Sequence, residues 1–235
     1  MVRKQSRDFH HSKAGDDFRQ CLEKLRSSEA SECFKLLPAM AIQKDKRLLP
    51  TLREMLFCGQ MRREEVAVCC LAAIGAAESL PWLFEKARQV GQSGGAGSQR
   101  MQTAILDAIG EIGDDAAIPG LMGLFDFHLE RDNFRRKRRA IIVDVLGLIA
   151  QQDGQTALKE LVRLLGHPDF MIRAQACTAI ATAFWQRPNE MSPEIFARLL
   201  SLFQDSNLFV QHSLISALET LANVGSEKAA ALFAD

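Results

Sequence analysis

Residues 168–181, PDFMIRAQACTAIA, decide the fold of this chain. On a helix turning about 100° per residue, Ile172, Ala176, Ala179 and Ile180 fall on one side and make the apolar stripe that a packed helix needs. Pro168 and Asp169 stand ahead of it, where proline presets φ and an aspartate accepts from the N–H groups that a helix start leaves without partners. Arg173 lies beside the stripe.

The frame recurs along the chain. Aligned on the dipeptide that ends the stripe, it appears as Ala39-Met40, Ala73-Ile74, Ala108-Ile109, Val145-Leu146, Ala179-Ile180 and Ala217-Leu218, at intervals of 34, 35, 37, 34 and 38 residues. A second mark precedes it in three copies: Leu49-Pro50-x-Leu52, Leu80-Pro81-x-Leu83 and Ile118-Pro119-x-Leu121, where a proline near the helix start removes no intrahelical hydrogen bond. Alternating strand-like segments are absent, and alanine, leucine and glutamate dominate. The spacing therefore predicts an all-α chain of helix pairs: 48–58 with 64–74, 79–90 with 98–112, 116–129 with 134–150, 155–165 with 170–185, and 193–203 with 208–222. A helix opening at Asp16 and Asp17 and another over 31–44 precede these, and an incomplete helix begins near Ser226. The glycine-rich stretch 91–98 reads as a flexible turn. A period in the thirties is the sign of a stacked array, each unit burying its stripe against its neighbours.

These residues carry a resemblance. Asp169-x-x-Ile172-Arg173-x-x-Ala176-x-x-Ala179-Ile180, Ala73-Ile74-Gly75 with Leu80-Pro81, and Ala108-Ile109-Gly110 through Ile118-Pro119 resemble HEAT repeats, in particular the short bacterial HEAT-like repeats also found in phycobilisome-lyase-type proteins. The resemblance covers roughly residues 30 to 225 by the periodicity argument. It implies a right-handed α-solenoid of about six HEAT-like helix pairs over residues 16–235, after a mobile polar tail at 1–15. It also implies that Asp169 and the arginines Arg139 and Arg173 are structural repeat residues. The equivalent positions hold Ala67, Gln102 and Gln211, which puts a continuous arginine ladder in doubt. In such arrays the second helices line a concave surface, and the expected activity is non-enzymatic binding of a protein partner along it, with no cofactor. The alternatives in the same family are a bilin-lyase-like enzyme or assembly chaperone, and a nucleic-acid-binding HEAT-like protein.

Charge narrows these classes. Lysine plus arginine equals aspartate plus glutamate at 29 each, so no global field draws the chain to nucleic acid or to an anionic membrane. The local exception is 131–139, RDNFRRKRR. Arg131, Arg135, Arg136, Lys137 and Arg138 make a candidate surface for an acidic protein partner, while a solvated charged face is the plainer reading. Arg138 is the sharpest member, because it takes the slot of Ile172 and Val210 and needs a partner or a carboxylate such as Asp126 or Asp132 to hold it.

No catalytic residue, cofactor site or metal site is expected. The histidines His10, His11, His128, His167 and His212 form no His-Glu pair, which removes the HEAT-like iron hydroxylases. Asp126, His128, Glu130 and Asp132 read as an ordinary turn. Cys70 falls in the slot of Ala176 and reads as a buried thiol; the six cysteines form no C-x-x-C and suit a reducing cytoplasm. Trp185 is either a cap over a repeat seam or a binding anchor. No signal peptide or membrane span is read, so the expected location is cytoplasmic.

Overall fold

The computed structural model describes residues 18–26, 33–93, 95–126 and 135–234. Among them no strand occurs. The helices are α1 (18–26), α2 (Leu37–Gln43), α3 (Leu49–Leu56), α4 (Met61–Ile74), α5 (Leu80–Ser93), α6 (Ala96–Ile112) and α7 (Ile118–Asp126). They continue with α8 (Arg135–Gln151), α9 (Gln155–Leu164), α10 (Phe170–Ala183), α11 (Pro193–Leu200), α12 (Leu208–Asn223) and α13 (Glu227–Ala230). The expected all-α array of helix pairs is thus what the described residues form. Residues 1–17 and 127–134, which hold the expected polar tail and Arg131, lie outside the description.

Helix boundaries follow local chemistry. The steps Leu49-Pro50, Leu80-Pro81 and Ile118-Pro119 open α3, α5 and α7, each after a 3-10 turn at Lys46–Leu48, Ala77–Ser79 or Asp115–Ala117. Asp45 and Asp114 cap two of those turns by accepting from the Arg47 and Ala116 N–H groups. Asp169 and Asn207 do the same for α10 and α12. At the other end, α4 and α6 stop on Gly75 and Gly113 at φ 67° and 69°, the left-handed region where a side chain is strained. After α8 that conformation falls to Asp153, at φ 71°.

One boundary departs from expectation. The stretch 91–98 is not one extended turn: α5 runs on to Ser93 and α6 starts at Ala96. Gly91 serves close approach. A Cβ there would lie 2.3 Å from the Gln102 side-chain nitrogen, which passes over Gly91 to donate to the Ala87 carbonyl at 3.0 Å. Glycine was read as flexibility where the structure uses it as clearance.

The chain divides into two compact units, residues 1–86 and 87–235, with the boundary inside α5. In the first, α2 and α3 both pack on α4, around Met40, Leu52, Leu56, Leu71 and Ile74. Arg63 reaches the Leu25 carbonyl at 2.8 Å, closing the end of α1. Glu64 and Lys86 form a buried ion pair at 2.7 Å, and Glu64 also accepts from the Gly59 N–H.

In the second unit α6, α8, α10 and α12 pack in series, and α9 lies against both α8 and α10. This is the neighbour-on-neighbour packing of a solenoid. Small residues set its spacing: Gly147 of α8 lies so close to α10 that a Cβ would stand 2.8 Å from the Ala179 carbonyl oxygen.

Polar latches join successive pairs at the far helix ends. Gly154 offers α9 no side-chain cap, and Asp115 of the preceding pair supplies it, accepting from the Thr156 and Ala157 N–H groups at 2.9 and 3.0 Å. Burial alone would raise the Asp115 carboxyl; these bonds hold it below its usual range. Arg187 then reaches the Ala150 carbonyl at 3.0 Å and pairs with Asp153, and Asn189 bridges the Gly225 carbonyl and the Glu227 N–H.

Candidate binding surface

The slot of the expected arginine ladder is structural in every copy of the second unit. Gln102 donates to the Ala87 carbonyl, Arg139 Nε to the Phe125 carbonyl at 2.9 Å, Arg173 to the His167 and Pro168 carbonyls at 2.8 and 3.1 Å, and Gln211 to the Asp205 carbonyl at 2.8 Å. Each thereby satisfies a carbonyl of its own first helix or of the turn after it. Glutamine does this as well as arginine, so the departures at Gln102 and Gln211 leave the ladder's function in place.

Arg173 does more. Its Nε and Nη2 each lie 2.7 Å from one carboxylate oxygen of Asp205, in the turn before α12, a two-pronged pair across neighbouring repeats. Asp169, the third expected structural residue, caps α10. For Arg139 the position in register with Asp205 holds His167. The Arg139 guanidinium lies 4.6 Å from the centre of the Phe125 ring, whose edge meets His167 at 5.7 Å. Burial lowers the His167 pKa, and its Nδ1 accepts from the Asp169 N–H, the arrangement of a neutral imidazole.

The basic residues separate into two groups. Arg138 is 1% exposed, matching Ile172 at 3% and Val210 at 0%, and its Nε donates to the Leu124 carbonyl at 3.3 Å. That overturns its place among partner-contacting residues: the register that makes it anomalous in sequence also puts it inside the hairpin. Arg135 is half-buried, whereas Arg136 and Lys137 are exposed in the first turn of α8. Arg131, with Asp132, His128 and Glu130, lies outside the described residues.

Sequence reasoning missed the neighbours of these cations. Aligned on Arg139, Arg173 and Gln211, the positions of Arg136 and Lys137 are those of Phe170 and Met171 on α10 and of Leu208 and Phe209 on α12. All four apolar side chains are exposed, from 39% for Phe170 to 71% for Leu208, and the Phe170 and Phe209 rings meet edge to face at 6.2 Å. The signal was present, since all four fall off the buried stripe of their own helices. Each pair sits at the start of a helix rich in apolar residues, where only the helical period separates them from the stripe.

Farther along α6, α8, α10 and α12 the equivalent positions are Asp107, Asp144, Thr178 and Ser216, all exposed, and Asp144 accepts from the Gln175 amide. Burial by surrounding protein raises both carboxyls above their usual range. Among the described residues no group of His, Cys, Asp and Glu side chains could hold a metal ion.

Cys70 and Cys177 are fully buried, and burial pushes each thiol up to about 12. Cys58 is exposed. In native protein at pH 7.5, Cys58 is expected to react with a maleimide at least about a hundredfold faster than Cys70 or Cys177, because only an accessible thiolate attacks. Peptide mapping after timed labelling reads this, and rapid modification of Cys70 would contradict it. Trp185, read as a seam cap or an anchor, is 52% exposed.

Among the described residues no helix is long and apolar enough to cross a membrane. No family model and no curated protein matches the chain. Among solved structures, the crystal structure of an engineered protein from the Northeast Structural Genomics Consortium is similar at 18% identity and a TM-score of 0.42, over 88% of this chain and 96% of that one.

Proposed function

We propose that this chain is a non-enzymatic binding scaffold that holds a protein partner on the face formed by its second helices within residues 87–235. The observation that carries this is the row of exposed side chains on α8, α10 and α12, where Arg136 and Lys137 stand in register with Phe170, Met171, Leu208 and Phe209. Large apolar side chains in contiguous exposed positions serve no core, and exposed patches of this kind mark interaction surfaces. The cations beside them favour a partner with carboxylates. Relative to the surface expected from sequence, Arg135, Arg136 and Lys137 remain and Arg138 leaves. The resemblance to HEAT arrays agrees with this use, because a stacked array presents a long face and no deep pocket by default.

The test is affinity capture of partners with the full chain from its native cells, followed by mass spectrometry, against the variant Arg136→Glu/Lys137→Glu. Circular dichroism serves as the control for folding. A specific partner is expected with the unaltered chain, reduced at least about tenfold by the double charge reversal, as loss of steering and of rim pairing predicts. Equal recovery by both proteins overturns the reading.

A further inference from the structure

We infer that the ligand of this face is a short linear protein segment whose acidic residues and large apolar residues are segregated, with its carboxylates over the start of α8 and its apolar side chains over α10 and α12. This deepens the scaffold reading and rests on it.

The segregation comes from the register. In the row, the α8 positions are both cationic and the α10 and α12 positions are all apolar: Phe170, Met171, Leu208 and Phe209. A ligand matching it needs negative charge at one end only. The length follows from helix packing. Because α8, α10 and α12 pack in series, and packed helices stand about 8–10 Å apart, the row spans roughly 20 Å. An extended chain advancing about 3.3 Å per residue covers that in about six or seven residues.

Charge complementarity points to carboxylates at α8. Arg136 and Lys137 are exposed in the first turn of α8, where the macrodipole is already positive, so two cations and the helix field add up at one place. An acidic side chain laid there offsets both. The apolar end is equally defined: Leu208 is 71% exposed and Phe209 51%, and the Phe170 and Phe209 rings meet edge to face at 6.2 Å, joining α10 and α12 in one exposed apolar patch.

Other classes of ligand fit less well. A nucleic-acid backbone carries charge along its whole length and asks for cations at every step, whereas two of the three helices in this row supply none there. A membrane interface asks for an apolar face along a helix, whereas this patch runs across the ends of several. A second copy of this chain would meet the row with a region of its own.

The experiment is selection of a displayed random-peptide library, with inserts of about eight residues to cover the estimated span, on the full chain. The expected enrichment is of sequences with Asp or Glu grouped at one end and Phe, Leu or Met at the other. A synthetic peptide of the enriched sequence is then measured by fluorescence anisotropy. Binding should weaken about tenfold or more both in Leu208→Ser/Phe209→Ser and in Arg136→Ala/Lys137→Ala, as truncation of central anchors predicts. A peptide of the same composition with acidic and apolar residues interleaved should bind at least about tenfold less tightly than the segregated one.

No enrichment, an enriched motif without acidic residues, equal binding of the interleaved peptide, or indifference to Leu208→Ser/Phe209→Ser overturns the inference. So does tighter binding to anionic vesicles or single-stranded RNA, or a concentration-dependent dimer that Leu208→Ser/Phe209→Ser abolishes. The two readings fail separately: a captured partner lost from Arg136→Glu/Lys137→Glu but retained by Leu208→Ser/Phe209→Ser leaves the scaffold standing and removes the segregated segment.

Discussion

Replacing Arg173 by alanine is expected to destabilise the second unit by about 3–5 kcal/mol, the range for removing one partner of a buried ion pair. The Asp205 side chain is 5% exposed and that of Arg173 14%, so water replaces the missing guanidinium only in part. The loss is compound. Asp205 loses its cation and keeps the Asn207 N–H as a donor, and the carbonyls of His167 and Pro168 lose a donor. For a unit of this size the shift is on the order of 10 °C in Tm. Replacing both partners, Arg173→Met with Asp205→Leu, should recover much of the loss, since it removes the stranded charge along with the attraction. Thermal unfolding followed by circular dichroism checks both. A loss under about 1 kcal/mol for Arg173→Ala would place the pair with ordinary surface pairs instead.

The same pair sets a pH dependence. The hydrogen bonds from Arg173 hold the Asp205 carboxyl below its ordinary value of 3.8. A carboxylate with a lowered folded-state pKa contributes stability that is complete above the unfolded value and is lost as pH falls through the folded one. Stability of the unaltered chain should therefore fall more steeply below pH 3.8 than that of Asp205→Asn, whose side chain has no such proton to take up.

The second large effect is at Gly147. In an open helix, glycine to alanine stabilises by roughly 0.5–1 kcal/mol because alanine loses less backbone entropy. Here the new Cβ would stand 2.8 Å from the Ala179 carbonyl oxygen, 3.1 Å from its Cα and 3.2 Å from its Cβ. Two of those atoms are backbone and cannot rotate aside, so α8 and α10 must separate. Gly147→Ala is expected to cost about 1–3 kcal/mol net, the range for overpacking, despite the helix gain. Gly123 is the matched control: it sits in α7 with nothing within 4 Å of an added Cβ, so Gly123→Ala should raise stability by about 0.5–1 kcal/mol. Urea unfolding of the two variants side by side is decisive, because propensity alone predicts the same sign for both.

The helical period, the proline steps and the caps determined a good deal without any coordinates. The stripe of Ile172, Ala176, Ala179 and Ile180 is buried as the 3.6-residue period requires. Leu-Pro and Ile-Pro steps start helices because proline's missing N–H is one that a helix start does not use. These are local rules, and local rules are readable from one sequence. The placement of Arg138 was legible too. Its register with Ile172 and Val210 already required a buried position, but its charge drew attention to the surface.

What only the tertiary structure decided depends on which atoms meet across the chain. Arg173 finds Asp205 32 residues away, Asp115 caps a helix some forty residues on, and Gly91 makes room for Gln102; no spacing rule announces any of these. The candidate surface is of this kind. Phe170, Met171, Leu208 and Phe209 fall off the stripes of their own helices, and only packing in series decides whether the neighbouring helices cover them. Periodicity tells which residues one helix can bury. Neighbours decide which it does bury, and the exposed remainder beside Arg136 and Lys137 is where binding is proposed.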